Sequence, residues 1–439
     1  MPFPQLPAEL VLVIMDYATY ERDVFDIGAP AHFAYPPTRS YRESSLAVRG
    51  TMPTKLALAA VCRAWRALAE PFLYSAVVIT RLDRLRQLSE AMCQERGAPP
   101  GPSPAFVRNN RHSSRVQTLL ERRSTRGWWT RRLDFAVTSV PYVADDCIDT
   151  DDAASTAGVI YLSLIFRSCC NLQIIVNLTK PPHWFNLICV KAALNLNRAS
   201  ISVISHNISF PPHNPNRVQR FLRQAKHLSV LDCSHELATS FVESPDEEDC
   251  LLNDHARHAT MSSPLLQALR VPHNDTPNSS FTSADFPSLR HISIGAINFK
   301  DDPTYLARFL RRHHTITSVE FLQSADQISW NVVLSSALLL KDVIFDMSHH
   351  AQFRWASRVP DSIVRLGVRF CRMQASRTEH ELLFYNIVRL FPNVQVVRLL
   401  HPKHVSDLSK LHAKYLSRWV VPLLERGVRV EGPAGDPFP

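Results

Sequence analysis

Apolar positions near the start of the chain fall into rows. Leu6, Leu10, Ile14 and Ala18 recur every fourth residue, and Val13 and Tyr17 fill the neighbouring row. That spacing predicts a helix with one apolar face. Pro7 suits its first turn, because the N–H it lacks has no partner there. A second helix is expected from Thr54, a suitable N-cap, to about Glu70. Leu58, Val61, Cys62, Trp65, Leu68 and Ala69 step by three and four along one side, with Arg63, Arg66 and Glu70 off it. Pro71 ends this helix or opens a short turn. Cys62 then sits mid-helix on the apolar stripe, where a free thiol packs as a small hydrophobe rather than reacting. "SAVVI" predicts a short strand and "RLDRLRQLSEAM" a further helix. Between Tyr20 and Pro53 the period is lost, and an irregular insertion is expected. "GAPPGPSP" at Gly97 to Pro104 is expected to form a flexible joint.

From about residue 125 a different pattern takes over: an apolar residue, two others, an apolar residue, one other, an apolar residue. The best copies anchor on Leu266, Leu269 and Val271; Leu289, Ile292 and Ile294; and Ile316, Val319 and Phe321. Further copies anchor on Leu340, Val343 and Phe345; Ile363, Leu366 and Val368; and Val394, Val397 and Leu399. "TRRLDF", "LQII", "RASISV" and "LSVLDC" are looser versions. The middle anchors fall at 269, 292, 319, 343, 366 and 397, and most steps lie in the range of about 20–29 residues of leucine-rich repeats. Alternation inside each unit is that of a strand with one buried face. An apolar residue also precedes the first anchor by six positions, at Phe166, Leu222, Leu310, Leu334 and Val388. Each unit is therefore expected to be a helix or turn followed by a short parallel strand.

The fold class expected is α/β: an N-terminal helical domain over residues 1–80, then a linker with helices to about 124. An irregular leucine-rich-repeat-like solenoid with parallel strands follows over 125–425, and a loose tail over 426–439. In such an array the residues between second and third anchors, Arg270, Ser293, Glu320, Ile344, Gly367 and Arg398, should point outward and line a concave face. Of these, Arg270, Ser293, Glu320 and Arg398 are the candidate target-binding residues.

Composition narrows the chemistry. The chain has 31 Pro against 11 Gly, which argues against Gly-rich sandwiches and phosphate-cradling loops. The nine Cys have no regular spacing, and Cys169 and Cys170 are adjacent. That suits a reducing cytoplasm or nucleus better than a disulfide framework. The N-terminus lacks a basic n-region and carries Glu9 in its apolar stretch, so a secretory signal is not expected. Nor does any apolar run approach the ~20 residues of a membrane helix.

"CLLNDHARH" offers Cys250, Asp254, His255 and His258 as candidate metal ligands. Without a C-x-x-C or H-E-x-x-H spacing a polar loop is the better reading. His313, His314, His349 and His350 are expected at surface or loop positions. Asp145, Asp146, Asp149, Asp151 and Asp152 lack the register of a calcium loop. There is no P-loop, G-x-S-x-G or G-x-G-x-x-G, so a non-catalytic chain without cofactor is expected. Net charge is +9. The Arg-rich stretch from Arg108 to Arg132, with Trp128 and Trp129, could serve a nucleic acid or be a solvated helix leading into the first repeat.

"LPAEL" at Leu6 to Leu10, followed by "TKLALAAVCRAWRALAEPFLYSAVVI" at Thr54 to Ile79, resembles the F-box, whose pattern is L-P-x-E-(L/I) and later V-C-(K/R)-x-W. With "PFLY" and the strand, the combination looks like the fungal F-box-like proteins. The resemblance implies docking on a Skp1-like adaptor, and through it a cullin–RING ubiquitin ligase. Carried over by position, the docking residues are Leu6, Pro7 and Leu10, then Val61, Cys62 and Trp65. The repeats would hold a target protein, so the chain would be the substrate-recognition subunit. A ligase-independent repeat scaffold is the alternative.

Overall fold

The computed structural model describes residues 8–20, 24–25, 41–81, 84–93, 125–136, 151–178, 201–205, 225–232, 262–271, 285–295, 304–322, 327–346, 359–369, 377–411 and 413–437. The chain divides into two units, Met1–Ile27 with Arg39–Ile208, and Gly28–Thr38 with Ser209–Pro439. Among the described residues no helix is long and apolar enough to cross a membrane.

The first unit opens with three helices, α1 (Ala8–Thr19), α2 (Tyr41–Ala60) and α3 (Arg63–Ser75). Strand β1 (Ala76–Ile79) follows α3 directly, and α4 (Leu85–Cys93) comes next. Then come β2 (Arg132–Phe135), α5 (Asp151–Ser168), β3 (Ile174–Asn177) and β4 (Val203–Ser205). The four strands pair in chain order and all in parallel, with Val77, Leu133, Ile175 and Ile204 in one row.

Several expectations fail here. The stretch from Tyr20 to Pro53 is not wholly irregular, because α2 begins at Tyr41 and runs through Pro53. Arg132 anchors that stretch: fully buried on β2, it pairs with Asp134 through Nε–Oδ1 at 2.8 Å and Nη2–Oδ2 at 2.9 Å. Its Nη1 donates to the Val24 carbonyl at 2.8 Å and to the Ser44 hydroxyl. Burial pushes the Asp134 carboxyl up from its ordinary range, and the Arg132 guanidinium pulls it back. Val24, Val48 and Ala76 complete a small core with Phe25 and Val78.

The expected single helix from Thr54 to Glu70 is also broken in two. The Val61 N–H bonds back to the Leu58 carbonyl at 3.4 Å, and Cys62 is extended at φ −161°, ψ 174°. Cys62 is thus an exposed N-cap and not a mid-helix residue; its Sγ accepts from the Trp65 N–H at 3.4 Å. Pro71 lies inside α3 and does not end it. The carbonyl deprived of a donor there belongs to Ala67, an exposed residue that water can reach.

The second unit carries β5 (Val230–Asp232), β6 (Ala268–Val271), β7 (His291–Ile294), β8 (Ser318–Phe321), β9 (Asp342–Asp346), β10 (Arg365–Arg369), β11 (Val396–Leu399) and β12 (Arg429–Glu431). Again every neighbouring pair is parallel and in chain order. Helices α6 (Thr304–Arg312), α7 (Gln327–Ser336), α8 (Arg377–Leu390), α9 (Pro402–Leu411) and α10 (Ala413–Glu425) lie between strands. The protein is therefore mixed α/β with parallel strands. Leu269, Ile292, Val319, Val343, Leu366, Val397 and Val430 form one row across the register, so the middle anchors are stacked neighbours.

Strands start two residues later than the first anchors, which instead close a turn. The N–H groups of Leu228, Leu266, Leu289, Ile316, Leu340, Ile363 and Val394 each bond to the carbonyl three residues back. Those carbonyls belong to Ala225, Ser263, Phe286, His313, Ala337, Pro360 and Phe391. In the first unit Gly127–Thr130 and Cys169–Leu172 repeat the same turn. This slot is enclosed, which explains why burial pushes the Cys169 thiol up to about 12. Of the histidines expected at surface or loop positions, His313 occupies this turn but is buried, His314 is exposed, and His349 and His350 lie outside the described residues. The segment expected as a loose tail contains β12, followed by a turn in which the Gly432 N–H bonds to the Asp436 carbonyl at 2.8 Å.

Candidate docking surface

Helix α1 is apolar nearly all the way round. A helix of that kind is either enclosed by its own protein or covered by another. Val11 and Met15 form its inner row, packed with Ala59 of α2 and Ala69 of α3 and flanked by Leu58, Trp65, Leu68, Phe72 and Leu73. The row singled out from the sequence is the adjacent one, and it faces water: Leu10 is 50% exposed, Val13 64% and Tyr17 88%, against 0% for Met15. Leu12 and Ile14 are exposed as well, as are Leu46 and Leu56 on α2. Spacing alone does not separate the two rows, because Val11 and Met15 recur every fourth residue just as the outer row does.

The second group of candidates sits at the α2–α3 break. The sharp turn there leaves Val61 60% exposed, and Cys62 is exposed beside it. Trp65 is different. It is half-buried and packs against the Val11–Met15 core, so it holds α3 onto α1. Leu6 and Pro7 lie outside the described residues.

The expected target-binding row is not an open surface. Register places Arg270, Ser293, Glu320, Ile344, Gly367 and Arg398 side by side, as the spacing implied, but Ser293, Glu320, Ile344 and Arg398 are buried. Arg270 is half-buried. A Cβ on Gly367 would come within 2.9 Å of Leu400 and 3.0 Å of Ile344. The polar members are engaged with one another and with their neighbours. Ser293 donates to Glu320 Oε2 at 3.0 Å, and Arg369 donates to Glu320 Oε1. His291 bridges the Ser318 hydroxyl at 3.0 Å and the Ser293 hydroxyl at 3.1 Å. Arg398 bonds Glu431 Oε2 through Nε at 3.0 Å and Nη2 at 2.7 Å. In the row beside them, Arg365 grips Asp342 bidentately at 2.6 and 2.8 Å. Reversing Glu320 and Arg398 would therefore break these pairs rather than report on a target.

The Arg/Trp segment is engaged likewise. Arg126 bonds Glu70 at 3.0 Å, Arg131 bonds Gln173 and lies over the Phe25 ring at 4.7 Å, and Arg132 holds Asp134. The residues Arg126–Trp129 form a 3₁₀ turn rather than a solvated helix. Arg108, Arg111, Arg115, Arg122 and Arg123 lie outside the described residues, as do Cys250, Asp254, His255 and His258. Among the described residues no three His, Cys, Asp or Glu stand together in a way that could hold a metal. No protein-family model and no curated protein matches the chain.

Proposed function

We propose that this chain is a non-catalytic adaptor, the substrate-recognition subunit of a Skp1–cullin–RING ubiquitin ligase. Its N-terminal helices dock on the Skp1-like adaptor, and its repeats, stacked as an irregular leucine-rich-repeat solenoid, hold a target protein. The observation that carries the reading is the outward apolar row of α1, with Leu10, Val13, Ile14 and Tyr17 in water while Val11 and Met15 hold the helix in place. Among the described residues of its own unit nothing covers this row, and large exposed apolar patches mark interaction sites. Of the F-box-like motif residues, Leu10 falls on it and Val61 and Cys62 on the break, while Trp65 packs inward. Contact with the target is sought at the turns rather than in the strand row, since Leu265, Leu338 and Leu339 are exposed before β6 and β9.

Titration of the full chain with purified Skp1 tests the reading. The wild type binds, and Leu10→Ser with Val13→Ser weakens binding about thirtyfold or more, as central anchors do. These outer residues are better probes than Trp65, whose removal would also loosen the α1–α3 contact. Absence of Skp1 binding by the folded wild type overturns ligase membership and leaves a repeat scaffold.

A further inference from the structure

Helix α3 begins with charges of the wrong sign. Arg63 and Arg66 occupy its first turn region, no acidic residue joins them there, and both are exposed. A helix N-terminus carries partial positive charge, so cations there are unfavourable. Residues three apart on a helix are neighbours, so the two arginines also repel each other. Two cations near other helix starts have an answering group, whereas Lys414 at the start of α10 is exposed like the pair on α3. Arg86 near the start of α4 bonds Glu90 at 2.9 Å, and Arg377 at the start of α8 lies 3.7 Å from the Tyr415 ring centre. Among the described residues neither Arg63 nor Arg66 meets a carboxylate. Between and after them are Ala64 and Ala67, both exposed and too small to hold a partner off. Val61 and Cys62, immediately before the helix, are exposed too.

We propose that the start of α3 receives an acidic edge of the docking partner, with carboxylates of that protein pairing with Arg63 and Arg66 while its apolar part covers Val61. The inference rests on the Skp1-docking reading and adds to it a charge requirement. The occupant is an adaptor protein that presents carboxylates next to an apolar strip. Salt bridges at the rim of an interface act mainly on association and on salt dependence, while the apolar row of α1 supplies the rest.

The test uses the full chain and purified Skp1 at low and at high salt. Wild-type affinity is expected to fall as salt rises, because exposed charges are screened. Arg63→Glu with Arg66→Glu is expected to bind about tenfold more weakly at low salt and to lose most of the salt dependence. Arg63→Lys with Arg66→Lys should retain both. The glutamates suit the helix N-terminus, so the thermal midpoint of the reversed variant should equal or exceed that of the wild type. Weaker binding by a more stable protein cannot be misfolding. If the reversed variant binds as well as the wild type with the same salt response, this inference falls and the docking reading stands. A lowered midpoint in that variant overturns it also, since the arginines would then serve the fold. If the wild type does not bind Skp1 at any salt, the docking reading fails and takes this inference with it.

Discussion

Along α1 the chain leaves Leu10, Val13, Ile14 and Tyr17 in water, whereas along β8 to β12 it takes Glu320, Asp342, Arg398 and Glu431 out of it. Each arrangement is costly alone, and the two are resolved differently. The buried charges are answered within the chain, by Arg369, Arg365 and the Arg398–Glu431 pair. Buried polar groups persist when their hydrogen bonds are made, and these are made. The exposed apolar row has no such answer among the described residues of its own unit. One region answers its own cost, and the other, among the described residues, does not. A polar strand row is therefore no sign of a binding face, and an apolar helix row is no sign of a core.

The strongest way to break this comparison is to remove one partner of a buried pair. Glu431→Ala leaves the Arg398 guanidinium buried without its two bonds to Oε2. Stripping one member of such a pair is expected to cost about 3–5 kcal/mol, whereas replacing both Arg398 and Glu431 by apolar residues of similar volume should be close to neutral. Urea unfolding reads both. A loss in Glu431→Ala under about 1 kcal/mol would fit an exposed pair and show that the strand row is wet. Met15→Ala is the matching test on the inner row of α1, with an expected loss of about 2–5 kcal/mol.

Next in size is the turn that precedes the strands. A Cβ on Gly127 would stand 2.6 Å from the Ser168 Cβ and 2.8 Å from its backbone, at the end of α5. Backbone cannot yield as a side-chain tip can, so Gly127→Ala should destabilise by about 1–3 kcal/mol. Gly50 in α2 has nothing within 4 Å. Gly50→Ala should stabilise by roughly 0.5–1 kcal/mol through helix propensity alone. Equal effects at the two positions in thermal melts would show that the Gly127 slot is as open as the helix surface.

Much of this architecture was legible in the sequence because an alternating pattern survives wherever one strand face is apolar. Leu269, Ile292, Val319, Val343, Leu366 and Val397 were found that way, and they form one row. The outer row of α1 was legible for a similar reason. What the pattern could not reveal is the fate of the alternate positions. A charged residue there looks solvent-facing until its partner is known, and the partner of Arg398 lies 33 residues on, that of Glu320 49 residues on. The α2–α3 break carries neither Gly nor Pro, and Cys62 is an unusual N-cap, so a continuous period hid it. The start of α2 was missed because its hold on the sheet is a guanidinium, Arg132, 88 residues from Ser44.

A smaller effect is expected from acid. His313 sits in the turn slot that Ala225, Ala337 and Phe391 fill elsewhere. Its Nδ1 bonds the Phe309 carbonyl at 2.8 Å, and its Nε2 accepts from the Phe286 N–H at 3.0 Å. Burial is the largest influence and holds the imidazole below its ordinary pKa, so the ring is neutral when folded. The unfolded chain, with an ordinary value of about 6.5, takes up the proton more readily. The stability this provides is fully present above that value and is lost as pH falls below it toward the folded pKa. Urea midpoints should drop between neutral and mildly acidic pH, and the drop should shrink in His313→Gln. An unchanged drop would place its origin in other groups.

The smallest effect belongs to the outermost residue. Tyr17 is 88% exposed on α1, one turn from Val13 and two positions from the buried Met15. If the outer row serves only a partner, Tyr17→Ser removes nothing that the isolated chain uses, and the expected change in unfolding free energy is within about 0.5 kcal/mol. The helix itself tolerates the exchange, since Ser and Tyr have similar propensities. Skp1 affinity should nonetheless fall, because an exposed aromatic becomes a buried anchor only in the complex. Stability measured beside affinity thus separates the two rows of one helix: Met15 governs the first quantity and Tyr17 the second. Should Tyr17→Ser unfold the protein as Met15→Ala does, the outer row is packed by this chain itself, and the contrast between an incomplete helix face and a complete strand face is lost.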